Sequence, residues 1–276
     1  MSSIKEQLTH TTVRIESEIG TGTGFFFNFD FEGKKFPAII TNKHVVRGAK
    51  KGNIILKLKD KLGKWDVGKN YLVTIENFED NWIFHPEDDV DLCFYPFGPV
   101  IHNMEERGFS PFYISLDESL LPKAEEEREL EVLEDIAMVG YPNGIWDSVN
   151  NLPIVRTGVT ATPFFSNYKG KAEFMIDAAC FNGSSGSPVF LLNLGSYFAN
   201  GVTNIGASRI KLLGILYAGP QPHARGEIKM EDIPKIEKPV AYTPIPNNLG
   251  LVIKSRKILD LKKLIESKIK EAEQQV

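Results

Sequence analysis

The chain has 276 residues, which is enough for one large domain or two small domains with a buried core. Hydrophobic residues make up 42% of it and charged residues 25%, so disordered, collagen-like and coiled-coil classes are excluded. The 32 Lys and Arg residues against 36 Asp and Glu give a net charge of −4, without the basic excess that a nucleic-acid-binding protein usually carries.

Neither a secretory signal nor a membrane span is predicted. Segment 1–7 has no apolar run of signal-peptide length, and no stretch approaches the ~20 apolar residues that cross a bilayer. We therefore expect a soluble, cytoplasmic protein that binds neither nucleic acid nor membrane. Cys93 and Cys180 lie in apolar or strand-like stretches without CxxC spacing, so we expect buried free thiols rather than disulfide or metal ligands.

Short apolar, β-branched and aromatic runs between Gly, Pro and Asn residues predict two sets of strands. The first set comprises 12–15, 24–29, 36–41, 53–58, 71–75 and 92–94. The second set comprises 136–139, 154–162, 173–177, 188–192, 212–217 and 250–253. Because no helical period separates these runs, they favour an antiparallel sandwich or barrel over alternating β and α units.

Two further segments differ from the strands. Segment 101–134 is rich in Glu and Pro and is interpreted as a connection whose acidic run, 125–129, is a solvated face. Near the C-terminus, apolar residues recur at steps of 3, 4 and 4 and predict a helix with Ser255 as N-cap; they are Ile258, Leu261, Ile265 and Ile269. We expect this stripe to dock on the body of the protein; binding of a partner is the alternative.

Three short segments supply a base, an acid and a nucleophile, in the order 41–46, 88–92 and 182–188. Catalysis by a serine hydroxyl needs a His to take the proton and a carboxylate to hold the imidazole, and the three residues can come from distant parts of the chain. His44 closes the apolar strand 37–41, which would hold it rigidly. Glycines flank Ser185, and the N–H groups of Gly183 and Ser185 could converge on an oxyanion.

These segments resemble those of trypsin-like serine peptidases with the chymotrypsin fold, and are most similar to the bacterial HtrA-type catalytic domain. Thr41-Asn42-Lys43-His44-Val45 resembles the family's T-A-x-H-V/C segment, Asp91-Leu92-Cys93-Phe94 its D-[IL]-A-L segment, and Gly183-Ser184-Ser185-Gly186-Ser187-Pro188 its G-[DN]-S-G-G-P segment. Shorter matches occur at Gly22-Thr23-Gly24-Phe25, Val139-Gly140-Tyr141-Pro142 and Leu213-Gly214-Ile215. The resemblance covers about residues 12–254.

The resemblance implies an all-β fold of two antiparallel six-stranded β-barrels with a C-terminal α-helix. The N-terminal barrel would span 1–100, the connection 101–134, the C-terminal barrel 135–254 and the helix 255–276. The active site would lie in the cleft between the barrels, with no metal and no organic cofactor, and it would act on a protein or peptide substrate.

The catalytic residues implied by the resemblance are His44, Asp91 and Ser185, with the amides of Gly183 and Ser185 as the oxyanion hole. Asp91 is preferred over Asp88 and Asp89 because it directly precedes an apolar strand. Ser185 is preferred over its neighbours because it stands between the two glycines of the motif.

The specificity pocket implied by the resemblance comprises Ala179, Tyr217, Ala218 and Gly219. Ala179 stands where trypsin places the Asp that selects Arg or Lys, so we expect a small-to-medium apolar residue before the scissile bond. No PDZ module is expected after Ile253.

Ser184 stands where secreted members carry an Asp that pairs with a newly freed N-terminus, so activation by that ion pair is not expected. Control would then come from a loop rearrangement, from assembly or from a regulatory protein partner. Two alternatives to a simple peptidase stay open: a catalytically inactive binding module, and a latent protease that a partner switches on.

Overall fold

The chain is mainly β in a computed structural model that describes residues 3–199, 201–219 and 248–274. Its strands form one large sheet from the first half of the chain, one closed barrel from the second half, and a separate two-stranded hairpin. The predicted all-β class and the C-terminal helix are confirmed.

Nine strands form the N-terminal sheet: β1 (Thr12–Ser17), β2 (Gly20–Phe31), β3 (Lys34–Thr41), β4 (Lys51–Lys59), β5 (Trp65–Glu76), β6 (Ile83–Phe84), β7 (Cys93–Pro96), β8 (Pro111–Phe112) and β9 (Leu116–Asp117). Their order is β5-β4-β1-β2-β3-β7-β6, with β8 paired to β4 and β9 paired in parallel to β2. In the part of the chain that the structure describes, no ladder joins β5 to β6. The predicted second six-stranded barrel is therefore not confirmed.

The C-terminal half forms a closed barrel of six strands: β10 (Asp135–Gly140), β11 (Ile154–Thr160), β12 (Glu173–Asp177), β13 (Pro188–Asn193), β16 (Arg209–Ala218) and β17 (Leu249–Lys254). Their order around the barrel is β10-β11-β12-β17-β16-β13. The hairpin β14 (Ser196–Ala199) and β15 (Val202–Ile205) lies between β13 and β16 in the chain. Residues 220–247, which the sequence assigns to this barrel, lie outside the described residues.

Strand β2 contributes to both sides of the N-terminal sheet because successive side chains of a strand point to opposite faces. Phe25, Phe27 and Phe29 belong to an apolar cluster that also contains residues of the C-terminal barrel, such as Phe190. Phe26 belongs to a second cluster, formed within the N-terminal half. The first cluster thus joins the sheet to the barrel, and the active-site candidates lie along this junction.

Five helices occur in the described residues: α1 (Ile4–Leu8), α2 (Lys43–Val46), α3 (Gly98–Glu106), α4 (Ala124–Glu129) and α5 (Ile258–Gln274). The first four are too short to show a helical apolar period, so the sequence did not predict them. None of the five has the length and apolar content that would carry it across a bilayer.

The segment 101–134 does more than connect the two halves, because it supplies β8, β9 and α4. The acidic run was predicted to be a solvated face, yet two of its carboxylates make ion pairs with the C-terminal half. Glu126 pairs with Lys211 at 2.7 Å, and Glu127 pairs with Arg256 at 3.2 Å. Because Lys211 and Arg256 are far from the acidic run in the sequence, no local pattern predicted these ion pairs.

Helix α5 docks on the body of the protein, as its apolar stripe predicted. Ile258, Leu261 and Ile265 are buried in the cluster that joins sheet and barrel, whereas Ile269 is exposed. The predicted N-cap is wrong, since Ser255 is buried in a 3₁₀ turn, Ser255–Lys257, that precedes the helix.

Removing the Leu261 side chain tests this docking. Leu261 is fully buried, so we expect Leu261→Ala to lower the free energy of unfolding by about 2–4 kcal/mol. Ile269→Ala, on the same stripe but 39% exposed, is the matched control and should cost less than about 1 kcal/mol. Urea titrations of the three proteins give these values, and equal losses for the two variants would contradict the docking.

Candidate active site

His44 is the exposed residue of a short helix whose neighbours are buried. Helix α2 follows directly on β3, and Val45 and Val46 pack into the apolar cluster of the N-terminal half. Val45 also lies against Gly22, where an added Cβ would come within 2.5 Å of it. This packing fixes the backbone of the helix and leaves the imidazole of His44 half exposed.

Asp91 holds both the backbone and the side chain of His44. Its Oδ1 accepts the His44 backbone N–H at 3.1 Å, and its Oδ2 lies 2.5 Å from His44 Nδ1. Since an ionised carboxylate only accepts hydrogen bonds, the second contact places the imidazole proton on Nδ1 and leaves Nε2 free to act as a base. The side-chain amide of Asn42 donates to the Asp91 carbonyl at 2.8 Å and fixes this segment.

Ser185 lies in the turn between β12 and β13, on the same cleft as His44. The cleft has a volume of about 550 Å³ and is lined by Ile19, Gly20, Thr21, His44, Val45, Asn143, Asn182, Gly183 and Ser185. The Ser185 hydroxyl donates to the Tyr217 carbonyl at 3.5 Å, and among the described residues no hydrogen bond joins it to His44. The structure therefore brings the three predicted catalytic residues to one region, with His44 and Asp91 in direct contact.

The predicted oxyanion-hole amides are free to bind an anion. The two amides next to them in the turn are occupied, because Ser184 N–H donates to Phe181 at 3.0 Å and Gly186 N–H donates to Leu216 at 2.8 Å. The N–H groups of Gly183 and Ser185 meet no acceptor in the part of the chain that is described.

The peptide ahead of Gly183 is held so that its carbonyl does not compete for this site. The Asn182 carbonyl accepts the backbone N–H of Asn143 at 2.5 Å. Gly183 has φ +81°, and an added Cβ would lie 2.6 Å from the Tyr141 carbonyl. Both observations require glycine at this position.

Thr23 is a site residue whose role the sequence did not reveal. It is fully buried, its hydroxyl donates to the Gly183 carbonyl at 2.9 Å, and its backbone N–H donates to the Ser185 carbonyl at 2.9 Å. Its own carbonyl accepts the hydroxyl of Thr41 at 2.7 Å. The motif Gly22-Thr23-Gly24 predicted a strand here, but nothing local indicated that Thr23 holds the turn that contains Ser185.

The predicted pocket residues lie beside the turn rather than in the cleft that contains His44. Tyr217 is in contact with Ser185, and a Cβ added to Gly219 would come within 3.9 Å of Cys180, the residue after Ala179. Gly219 is exposed. Ala218 ends strand β16 between them.

One group of potential metal ligands, His85, Glu87 and Asp260, was found among the described residues. Lys257 already fills it, since its ammonium binds both carboxylate oxygens of Glu87 at 2.7 and 2.9 Å and reaches Asp260 at 3.3 Å. His85 Nδ1 accepts the Glu87 N–H at 3.1 Å, so a neutral ring carries its proton on Nε2, the nitrogen that faces Asp260. This cluster is an ion-pair network that fastens α5 to the segment preceding Asp91.

The chain was compared with known proteins. A family model described as a trypsin-like peptidase domain matches residues 22–196, which is more than half of the chain and includes all three candidate catalytic residues. A search of curated proteins gave no match.

Two solved structures were matched over most of their length. One is a crystal structure of Rv3671c from M. tuberculosis H37Rv, a serine-to-alanine mutant in its inactive form; it is 16% identical, with 94% of this chain and 88% of that chain covered and a TM-score of 0.46. The other is the Rv3671c protease in its inactive form, also 16% identical, with coverages of 93% and 89% and a TM-score of 0.45.

The reactivity of the cysteines tests the packing behind the turn. Both thiols are free. Burial raises the pKa of Cys180 to about 11, although the nearby Arg156 cation offsets part of this effect. Burial also raises the pKa of Cys93, which is fully buried. Well below the pKa the thiolate fraction falls tenfold per unit, so Cys180 in a Cys93→Ala protein should react with iodoacetamide at pH 8 about 100-fold more slowly than an unperturbed thiol. The rate should rise tenfold per pH unit up to pH 10, and a plateau near pH 9 would contradict the shift.

Proposed function

The chain belongs to the trypsin-like peptidase family and is a serine protease, and from this premise we propose that Ser185, His44 and Asp91 are its catalytic triad. The observation that carries the proposal is the contact of His44 with Asp91 on the cleft that also contains Ser185. This contact leaves Nε2 of the half-exposed imidazole without a hydrogen-bond partner among the described residues, as a general base requires.

The reaction would proceed through an acyl-enzyme. Ser185 Oγ attacks the carbonyl carbon of the scissile bond while its proton passes to His44 Nε2. The developing oxyanion accepts hydrogen bonds from the Gly183 and Ser185 amides, which have no other acceptor among the described residues. The C–N bond then breaks, the amine leaves with the proton from His44, and water hydrolyses the ester by the same steps in reverse.

The long hydrogen bond of the Ser185 hydroxyl to Tyr217 is the observation that favours a latent protease as the second candidate. Two features favour the competent site. Hydrogen bonds between catalytic groups often tighten only when substrate binds. The free amide pair beside Ser185 is the part of the site that a latent enzyme would lack.

We also propose that the substrate is a protein or peptide with a small-to-medium apolar residue before the scissile bond. Ala179 offers no carboxylate to an Arg or Lys side chain, and Gly219 leaves the pocket open next to Tyr217. A second six-stranded barrel, a regulatory protein partner and a cytoplasmic location stay predictions of the sequence.

Covalent labelling tests the triad. A fluorophosphonate probe should add once to the wild-type chain, seen as one mass increment of the intact protein, and not to Ser185→Ala. We expect His44→Ala to lower the labelling rate at least about 1,000-fold and Asp91→Asn by a similar factor, because the base is lost or held in the wrong tautomer.

Two matched controls accompany this experiment. Ser187→Ala removes a buried hydroxyl two residues from the nucleophile, and His102→Ala removes an exposed imidazole; both should label like the wild type. Labelling that persists in Ser185→Ala would assign the nucleophile to another serine, and no labelling of any protein would favour an inactive module or a latent enzyme.

Filling the pocket mouth tests the specificity. A Cβ at Gly219 would lie 3.4 Å from the Leu249 carbonyl and 3.9 Å from Cys180, so Gly219→Val fits without a clash at Cβ. We expect it to lower kcat/KM at least about 10-fold for peptides with Val or Leu before the scissile bond, by excluding the side chain from the pocket. Labelling by a small fluorophosphonate should not change. Preferred cleavage after Arg or Lys by the wild type would contradict the pocket assignment.

A further inference from the structure

Arg156 on strand β11 bridges two points of the segment that leads to the nucleophile. Its Nη1 donates to the Ala179 carbonyl, and its Nη2 donates to the Ser184 hydroxyl at 2.8 Å. Ala179 begins this segment and Ser184 directly precedes Ser185. The guanidinium therefore ties both ends of the segment to the wall of the C-terminal barrel.

The environment of Arg156 is unusual for a cation. Burial lowers its pKa, although an arginine keeps its charge throughout the range of enzyme activity. Its Nε is buried without a hydrogen-bond partner, and within the described ranges its contacts go to a carbonyl and a hydroxyl and not to a carboxylate. Burial of an unpaired charge is unfavourable, so its contacts with Ala179 and Ser184 provide the main polar compensation seen in the structure.

The turn of the nucleophile is consequently held from two sides. Thr23 of the N-terminal sheet binds the carbonyls of Gly183 and Ser185, and Arg156 of the barrel binds the side chain of Ser184 between them. With these groups engaged, the amides of Gly183 and Ser185 are left free for an oxyanion. Ser184 is fully buried, so its hydroxyl cannot exchange Arg156 for solvent without movement of the turn.

We propose that Arg156 is a positioning residue that keeps the turn of Ser185 in its oxyanion-binding conformation, so that the chain is competent as folded and needs no activating cleavage. The proposal rests on the proposed function and goes beyond it. The Asp ion pair of secreted family members orders the turn through a charge at the residue before the nucleophile. Here the charged group is Arg156 on a strand of the barrel, and the neutral hydroxyl of Ser184 accepts its hydrogen bond.

The test compares the untreated wild type with Arg156→Met, Arg156→Lys, Arg156→Ala and Arg209→Met. Arg156→Met keeps the length of the side chain without its charge or donors, and we expect fluorophosphonate labelling to slow at least 100-fold, as when an oxyanion-hole donor is lost. Arg156→Lys keeps the charge but cannot donate to both acceptors with the planar geometry of a guanidinium. Its labelling rate should therefore lie between those of the wild type and Arg156→Met. Adding guanidinium ion at millimolar concentration should restore part of the rate to an Arg156→Ala protein.

Arg209→Met is the control for loss of a partly buried arginine in the same barrel, where Arg209 pairs with Glu134 at 2.7 Å and touches no residue of the turn. It should label like the wild type even if its melting temperature falls. A second readout separates positioning from general damage. The downfield proton resonance of His44 Nδ1–H, in its short contact with Asp91, should persist in Arg156→Met, because the acid and base lie on the other half of the molecule.

The outcomes are distinct. Slow labelling of Arg156→Met with the His44 resonance intact and rescue by Arg156→Lys or guanidinium would establish the proposal. Wild-type rates in Arg156→Met would overturn it while leaving the triad standing. Loss of both labelling and the His44 resonance, with no rescue, would show a purely structural role and also overturn it. An untreated wild type that labels only after limited proteolysis would refute competence as folded but not the proposed protease. A wild type that labels under neither condition would refute competence as folded and would favour the inactive module or the latent enzyme over the proposed function.

Discussion

The apolar junction between the N-terminal sheet and the C-terminal barrel is the constraint on which the active site depends. Phe25, Phe27 and Phe29 of one strand pack in the same cluster as Phe190 of the barrel and Leu261 of the C-terminal helix. Because interiors are close-packed, this cluster fixes the relative position of the two halves to within small displacements. The proposed base and acid, His44 and Asp91, come from one half and the proposed nucleophile, Ser185, from the other, so their alignment depends on this junction.

The same strand also supplies a polar contact across the junction. Thr23, Phe25 and Phe27 are two residues apart along β2, so their side chains lie on the same face of the strand. The Thr23 hydroxyl therefore points to the face that meets the barrel, where it donates to the Gly183 carbonyl. A shift of one residue in the register with β3 would turn Thr23 away and expose the phenylalanines to the wrong face. The apolar pattern that makes the core therefore also specifies the position of the turn that carries Ser185.

Local patterns predicted the main strands and the apolar stripe of the C-terminal helix, because alternating and helical spacings of apolar residues are visible within a short stretch of sequence. The motifs predicted His44, Asp91 and Ser185 as candidates, and the structure places His44 and Ser185 on one cleft with Asp91 in contact with His44. The contacts of Thr23 and Arg156 could not be predicted in this way, since each joins residues far apart in the sequence. For the same reason the ion pairs of Glu126 and Glu127 could not be predicted, although the helix that carries them has no buried residue, as the prediction of a solvated face implied.

The supports of the two halves of the site are largely separate. Asp91 follows a segment that Lys257 and Lys43 fasten through Glu87, whereas the turn of Ser185 is held by Arg156. Thr23 is the link between them, because its carbonyl accepts the hydroxyl of Thr41 just before His44 while its other groups bind the turn of Ser185. A displacement of β2 would thus disturb the proposed base and nucleophile together, whereas a change at Arg156 would reach only Ser185 and the proposed oxyanion hole.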